Sequence, residues 1–453
     1  MSTASAALPN AATDSEPGLS QARIFSFFWP LALSWIFMAA DAVVCAAAIA
    51  RRSAPETNLA ATQVMMGIAF WVESPIIDLL STSTTLALSR GNYLRLRRFV
   101  LMLMFWVTFA HAVMTMTPLY GFVTDTLLRA AKPVADAARP ALFIMLPWSA
   151  AIGWRRFLQG ILIRNGLTRL VGLGTGVRVT ALALTALLLF KFTDLPGATL
   201  AGIALIASVV AESAFIHIVS RPTVREQFGP EVEALEVAAG APPLTLRRLC
   251  GFHFPLSLST MVMLCQIPLV VAALDRLSSP ILALAAWQVG ASSVWILRSF
   301  CFALPEAVIA LFRGDAMARP LRRFCITVGF VGSGIVFALA LTGLDRLYFA
   351  RVLGTTEPVV KLAHIVFLFG GALPFLTAWQ AYLRGMLTAH HFTVSRLTAV
   401  IVSTAVIVAA LTLGVLMKGE GVVVGSIAVI LATVVELIVL VTAWRHGRAG
   451  AMA

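Results

Sequence analysis

The sequence predicts an all-α integral membrane protein with twelve transmembrane helices in two pseudo-symmetric lobes of six helices each. Three observations carry this prediction. Of the 453 residues, 59% are hydrophobic and only 12% are charged, whereas about a quarter of the residues in soluble domains are charged. Long apolar runs alternate with short basic loops, and motifs of the first half return in the second half at a constant offset. The composition therefore excludes a soluble globular protein.

Each predicted helix is an apolar run of about 20 residues or more, which is the length that crosses a bilayer. In chain order the runs cover residues 24–50, 58–88, 98–120, 135–163, 168–190, 197–220, 249–274, 279–311, 323–345, 358–387, 393–416 and 420–444. The tails and the loops on the N-terminal side hold more arginine and lysine than the loops on the other side. This bias predicts that both termini are cytoplasmic, in a plasma or bacterial inner membrane.

The same pattern divides the chain into segments. Residues 1–22 are predicted to form a disordered tail, and residues 23–220 an N-lobe of six helices. The charged and proline-containing stretch 221–248 is the predicted cytoplasmic linker. Residues 249–446 form the predicted C-lobe, and residues 447–453 a second tail.

The internal repeat explains the two lobes. FWPLALS at 28–34 matches HFPLSLS at 253–259, and GWRRFLQG at 153–160 matches AWQAYLRG at 378–385. Because six spans separate the copies, both enter the membrane from the same side and are related by an axis along the membrane normal. Transporters built in this way hold their substrate between the repeats and expose it to each side in turn.

Ionisable residues inside predicted spans are costly and indicate a cavity or a partner. Glu73 and Arg298 lie at equivalent positions of the two copies and have opposite charge. We expect them to face each other across the central cavity as a gating ion pair. The alternative is that each is neutralised within its own lobe.

The adjacent Arg155 and Arg156 point about 100° apart on a helix, so we expect one to face the cavity and the other to snorkel toward the headgroups. Asp41 in the first span is a candidate for binding a coupling cation, with a polar cap at the outer end as the alternative. The remaining candidates for the substrate cavity are Asp78, Trp154, Gln266, Glu306 and Arg384.

The chain has no GxxxxGK[ST], HExxH or GxSxG motif, which argues against an ATPase, a zinc protease or a serine hydrolase. We expect no enzyme activity, no cofactor, no metal site and no nucleic-acid partner. The net charge of +13 is attributed to the membrane surface. The expected partners are a small-molecule substrate, H⁺ or Na⁺, and membrane lipid.

The chain resembles the MOP flippase superfamily, which includes the MATE multidrug exporters, lipid flippases and the progressive ankylosis (ANK) family. Twelve spans in two copies, each opening with P-L-x-L-S, carry the likeness to the superfamily. The likeness to the ANK family rests on LPWSAAIGWRRFLQGILIRNG at 146–166, SPIIDLL at 74–80 and GATLAGIALIASVVAES at 197–213.

The resemblance implies a MATE-like fold whose lobes open alternately to either side. ANK proteins are associated with export of pyrophosphate, nucleotide and citrate-like anions, and arginines inside the spans fit an anionic substrate. MATE proteins use a first-span aspartate for Na⁺ or H⁺ coupling, which implies this role for Asp41. We therefore expect a secondary transporter that exports a small organic or phosphorylated anion. The alternatives are a cation or drug exporter coupled to H⁺ or Na⁺, a flippase for lipid-linked substrates, and a non-transporting scaffold or enzyme.

Overall fold

The computed structural model describes residues 19–229 and 244–452, and these residues form twelve helical units, of which four are broken into two segments. The N-lobe contains α1 (Gln21–Ile49), α2 (Pro55–Ile77 and Leu79–Leu86), α3 (Arg90–Met116), α4 (Lys132–Ile144 and Trp148–Arg164), α5 (Thr168–Phe192) and α6 (Gly197–Phe228). The C-lobe contains α7 (Leu246–Leu274), α8 (Pro280–Arg298 and Leu304–Leu311), α9 (Asp315–Leu341), α10 (Glu357–Gly370 and Leu373–Ala389), α11 (Thr393–Leu416) and α12 (Gly421–Met452).

The helices have the length and composition of a multi-pass membrane protein. Within the described residues, 11 of the units are long and apolar enough to cross a bilayer. The exception is α4, whose segments of 13 and 17 residues are separated by a turn that includes Pro147. Large apolar side chains on the outer surface are solvent-exposed in the isolated chain, for example Phe105, Trp106 and Leu341. Such a surface requires lipid around it.

The predicted repeat is present in three dimensions. Each helix from α7 to α10 begins 225 residues after its counterpart in the N-lobe. Ser81 and Glu306 are also 225 residues apart, so they occupy equivalent positions in the two lobes. The offset decreases by one residue at the end of α11, where the loop to α12 differs from its N-lobe counterpart. Even the broken helices recur, since α2 and α8 are interrupted at corresponding places and so are α4 and α10.

Three segment boundaries differ from the prediction. Helix α6 continues past residue 220 to Phe228, and α7 already begins at Leu246, so both ends of the predicted linker are helical. Helix α12 likewise continues past residue 446 to Met452, where a tail was predicted. The rest of the predicted linker and most of the predicted N-terminal tail lie outside the described residues.

The repeated glycines Gly160 and Gly385 mark equivalent sites of close helix packing in the two lobes. A Cβ atom at Gly160 would overlap the Ser83 side chain and lie 2.6 Å from the Leu80 carbonyl oxygen. At Gly385 it would lie 2.7 Å from Cβ of Val308. The second segments of α4 and α10 therefore pack directly on the second segments of α2 and α8. Small residues allow this approach of helix backbones in membranes.

Substitution of Gly160 by alanine is expected to destabilise the protein by about 1–3 kcal/mol, because the added methyl group meets backbone that cannot move aside. The matched control is Gly176→Ala on α5, where a Cβ would meet nothing within 4 Å. The measurement is the apparent melting temperature in detergent. Equal melting of the two variants would show that α4 and α2 are not tightly packed.

The two lobes pack together at one end only, where α1 begins and α2 ends; we call this the closed end. One buried apolar cluster contains the N-lobe core and reaches into the C-lobe through residues at this end, such as Leu256, Leu304 and Phe324. A second cluster contains only C-lobe residues from the opposite half, such as Leu274 and Val360. The lobes therefore separate toward the opposite end, which we call the open end, and leave a cleft between them.

Candidate substrate site between the lobes

The break in α2 supplies backbone atoms for contact between the lobes. Pro75 has no N–H to donate to the Trp71 carbonyl, and the Ser74 hydroxyl donates to that oxygen instead, at 2.8 Å. The helix ends at Ile77 and restarts at Leu79, around Asp78. Because the helical bond from Leu79 is lost with this interruption, the Pro75 carbonyl is available to other donors.

His253 of the C-lobe uses this carbonyl to join the two lobes. Its Nε2 lies 2.9 Å from the Pro75 oxygen, and its Nδ1 lies 2.8 Å from Oγ1 of Thr82. A carbonyl only accepts, so Nε2 carries a proton; in the neutral imidazole Nδ1 then accepts from the Thr82 hydroxyl. Ser257 adds a second donor to the Pro75 oxygen, at 3.1 Å. His253 is fully buried, so the closed end contains a buried polar contact between the lobes.

Two predicted cavity residues, Asp78 and Glu306, belong to the same contact. The Thr260 hydroxyl of α7 donates to Oδ2 of Asp78 at 2.6 Å. The Ser81 hydroxyl of α2 donates to Oε1 of Glu306 at 2.9 Å. Ser81 and Glu306 are equivalent positions of the repeat, so their contact lies close to the pseudo-two-fold axis. Oε2 of Glu306 is buried without a partner.

Aromatic rings seal the closed end in a pseudo-symmetric way. Phe28 of α1 contacts Phe324 of α9 edge-on, with ring centroids 5.3 Å apart. At the equivalent positions, His253 of α7 contacts Phe99 of α3, with centroids 5.2 Å apart. Each contact joins opposite lobes. The exchange of phenylalanine for histidine thus adds hydrogen bonds on one side of an otherwise symmetric apolar seal.

Two arginines flank the inter-lobe boundary immediately on the cleft side of this seal. The Arg156 guanidinium lies 5.9 Å from the ring centroid of Trp35 on α1. The Arg298 guanidinium lies 5.7 Å from the ring centroid of Phe302. Trp35 and Phe302 contact each other across the boundary, with centroids 5.3 Å apart. Positive charge from the two lobes thus converges on one pair of aromatic rings.

Both arginines are partly exposed, and neither forms an ion pair within the described residues. A cavity beside Arg156, also lined by Trp35 and Glu306, encloses only about 40 Å³. That volume holds little more than one water molecule, which occupies about 30 Å³ of liquid. A larger ligand would therefore reach the arginines from the open cleft.

The expected ion pair between Glu73 and Arg298 is not formed in this conformation. Glu73 is buried in the N-lobe and accepts a hydrogen bond from Nε1 of Trp148. Arg298 instead lies against Phe302 of its own lobe. Equivalent positions of the repeat lie at the same depth in the membrane, but the orientation of each side chain depends on its local hydrogen-bond partners. Trp148, which belongs to the same lobe as Glu73, donates the hydrogen bond that orients the Glu73 carboxylate.

Arg155 lines the same small cavity as Arg156, but it is paired within its own lobe. It forms a buried ion pair with Glu212 of α6, and Nε2 of Gln159 donates to the other carboxylate oxygen at 3.1 Å. In the same lobe, Asp41 forms an ion pair with Arg178 of α5. The carboxylates of Glu212 and Asp41 are thereby compensated by arginines. A Na⁺ ion at Asp41 would have to bind next to a guanidinium.

The C-lobe contains the same arrangement with the arginine and glutamine exchanged. Arg384 forms an ion pair with Glu436 of α12 through Nε, at 3.0 Å, and a terminal nitrogen. Gln380, the counterpart of Arg155, donates to the Thr433 carbonyl at 2.9 Å. In each lobe, one arginine of α4 or of its counterpart α10 thus forms an ion pair with one buried glutamate. Arg384 is engaged within its lobe rather than in the cleft.

The last two predicted residues also bond within a single lobe. Nε1 of Trp154 donates to His217 of α6 at 3.2 Å. Nε2 of Gln266 donates to Thr404 of α11 at 2.9 Å. Sequence reasoning missed Trp35, His253 and Phe302. The signal for His253 was present, since HFPLSLS places a histidine where FWPLALS has a phenylalanine.

No protein-family model matches the chain. A search of curated proteins gives no match either.

Solved structures match the fold over nearly the whole chain. A eukaryotic MATE transporter gives a TM-score of 0.75 at 14% identity and covers 93% of this chain and 94% of its own. An outward-facing multidrug-resistance MATE transporter of the MOP superfamily gives 0.73 at 16%, covering 95% and 96%. A MOP transporter from Pyrococcus furiosus, described as having a binding pocket of reverse polarity, gives 0.72 at 16%, covering 95% and 96%. The chain therefore has the fold of MATE transporters of the MOP superfamily.

Proposed function

We propose that the protein is a secondary transporter that moves a small organic or phosphorylated anion through the cleft between its lobes. The observation that carries the proposal is the convergence of Arg156 and Arg298 on the Trp35–Phe302 ring pair without a carboxylate partner in ion-pairing distance. Guanidinium groups at such a boundary bind carboxylate or phosphate oxygens through two parallel hydrogen bonds. The site would contact both lobes, so binding there would depend on how the lobes are arranged.

Alternating access follows from the way the lobes meet. The closed end is held by the His253 hydrogen bonds, the Asp78–Thr260 and Ser81–Glu306 pairs, ring contacts and the buried apolar cluster that reaches from the N-lobe into the C-lobe. Opening this end while the cleft closes would expose the arginines to the other side of the membrane. With both termini cytoplasmic, as the basic loops favour, the closed end faces the cytoplasm and the cleft faces outward.

The positive boundary favours an anion over the cationic drugs that multidrug exporters move. A cation entering the cleft would meet Arg156 and Arg298, and like charges at close range repel. A binding pocket of reverse polarity is described for the Pyrococcus furiosus transporter, so pocket polarity differs among proteins of this fold. The likeness to the ANK family supports the same substrate class, with pyrophosphate, nucleotides and citrate as the first compounds to test.

For coupling, a proton fits the Asp41 site better than Na⁺. Protonation of Asp41 would release Arg178 and change the packing of α1 against α5, whereas Na⁺ would have to displace the guanidinium. The same carboxylate would then report the membrane proton gradient. Lipid contacts the outer surface of the helices and is not expected to enter the arginine site.

The test is transport by purified protein in liposomes, with radiolabelled citrate, pyrophosphate and ATP compared with a cationic dye. We expect saturable flux of at least one of the anions and dye flux no greater than in protein-free liposomes. A protein that moves the dye and none of the anions would contradict the proposal and support the cation or drug exporter. A pH gradient imposed in the same liposomes tests whether protons drive the flux.

A further inference from the structure

We propose that a second, basic cavity at the closed end binds a phosphate group and thereby holds the two lobes together. This cavity encloses about 650 Å³ and lies apart from the cleft. Its walls come from the start of α1, from the turn between α4 and α5, and from the turn between α8 and α9. The first two belong to the N-lobe and the third to the C-lobe, so a bound ligand would touch both lobes.

The lining of this cavity is strongly positive. Four arginines, Arg23, Arg164, Arg169 and Arg313, contribute to it, and the described residues that line it include no aspartate or glutamate. None of the four forms an ion pair within 19–229 and 244–452. Arg164 donates to the Thr84 carbonyl at 3.0 Å, which fixes one guanidinium in place. The other three side chains are exposed and free to adjust.

The start of α5 adds to the attraction for an anion. Leu167 occupies the N-cap position and gives no side-chain hydrogen bond to the first turn, and Thr168 and Arg169 at that turn line the cavity. The N-terminus of a 25-residue helix carries partial positive charge and unpaired N–H groups. Charged guanidinium groups, a hydroxyl and a helix N-terminus form a donor set that suits the oxygens of a phosphate or pyrophosphate.

The position of the cavity gives the binding a conformational consequence. Arg164 of the N-lobe and Arg313 of the C-lobe are like charges that line the same cavity when the closed end is formed. An anion between them turns this repulsion into attraction. A ligand that binds only this arrangement shifts the population of conformations toward it. Occupancy would therefore favour the state in which the cleft is open and would slow the return to the other state.

The experiment is calorimetric titration of pyrophosphate into the purified full chain carrying Arg156→Gln and Arg298→Gln, so that the cleft does not contribute. We expect binding to persist in this protein. Adding Arg23→Gln and Arg169→Gln should weaken it by about tenfold or more, since each removes a charge-assisted contact. The matched control adds Arg97→Gln and Arg98→Gln, two exposed arginines of α3 that do not line the cavity, and should bind like the parent. Unchanged affinity in the Arg23 and Arg169 variant, or an equal loss in the control, would overturn the proposal.

A second arm identifies the source of the phosphate group. The titration is repeated in nanodiscs of phosphatidylcholine alone and in nanodiscs containing phosphatidylglycerol. Weaker pyrophosphate binding with phosphatidylglycerol assigns the cavity to a lipid headgroup, and equal binding assigns it to a soluble phosphate compound. Because the titrated protein lacks the cleft arginines, a negative result here does not contradict the proposed transport function. Failure of the transport test likewise does not contradict phosphate binding in this cavity.

Discussion

Replacing Arg298 by glutamine is expected to abolish most anion transport while leaving the fold intact. Hydrogen bonds to a charged group contribute about 1.5–3 kcal/mol each, so losing one charged contact lowers affinity by roughly tenfold to a hundredfold. Arg298 has no ion-pair partner whose charge would be left uncompensated in the described part of the chain. Arg156→Gln should have a similar effect, because both groups would contact the same anion. The measurement is the concentration dependence of anion flux in liposomes.

Arg351→Gln is the matched control, since Arg351 is an exposed arginine of the C-lobe near the open end. It should transport like the wild type. Arg298→Lys should be intermediate, because lysine keeps the charge but cannot donate two parallel hydrogen bonds. All variants should share one apparent melting temperature. Wild-type flux in both Arg298→Gln and Arg156→Gln would show that neither arginine is needed for transport, which contradicts the proposed site.

Replacing Arg155 by glutamine is expected to be among the most destabilising single changes in the protein. It leaves the buried Glu212 carboxylate facing two glutamines, and removal of one partner of a buried ion pair costs about 3–5 kcal/mol. The C-lobe shows how to repair the loss, since Gln380 and Arg384 occupy the positions of Arg155 and Gln159. Arg155→Gln combined with Gln159→Arg should place the guanidinium on Glu212 from one turn further along α4.

The apparent melting temperature in detergent is the readout, and the double variant should recover most of what the single variant loses. The mirror experiment uses Arg384→Gln alone and with Gln380→Arg, where Glu436 takes the place of Glu212. Recovery in both lobes would establish that the arginine and glutamine are interchangeable between the two positions. A single Arg155→Gln variant that melts like the wild type would show that the pair contributes little to stability.

The sequence carried enough information to predict the twelve helical units and their arrangement in two lobes. Apolar runs identified the spans, and repeated motifs such as GWRRFLQG and AWQAYLRG identified the two copies. The repeated glycines in those motifs have a clear physical basis, because Gly160 and Gly385 each pack against an α2-type helix. Helix ends were harder to predict, since α6 and α12 continue into polar sequence where hydropathy no longer marks a boundary.

The site was only partly predictable, because the partner of a buried charge is a property of the folded lobe. Arg155 and Glu212 are far apart in sequence, and nothing local distinguishes Arg155, which is paired, from Arg156, which is not. The repeat correctly places Glu73 and Arg298 at equivalent positions, but Glu73 bonds to Trp148 of its own lobe and does not reach Arg298. His253 was visible as a departure from the repeat, yet its role depends on the Pro75 carbonyl that the break in α2 leaves available.

The most direct test of the alternating-access account is anion flux with the closed end reversibly cross-linked. Phe28 and Phe324 are buried, belong to opposite lobes and have ring centroids 5.3 Å apart. Phe28→Cys and Phe324→Cys are introduced into a chain whose five native cysteines are replaced by serine, and a short bis-methanethiosulfonate reagent joins them. The single-cysteine variants treated with the same reagent are the controls. The account predicts that cross-linking stops flux and that reduction restores it, whereas full flux through the cross-linked protein would contradict it.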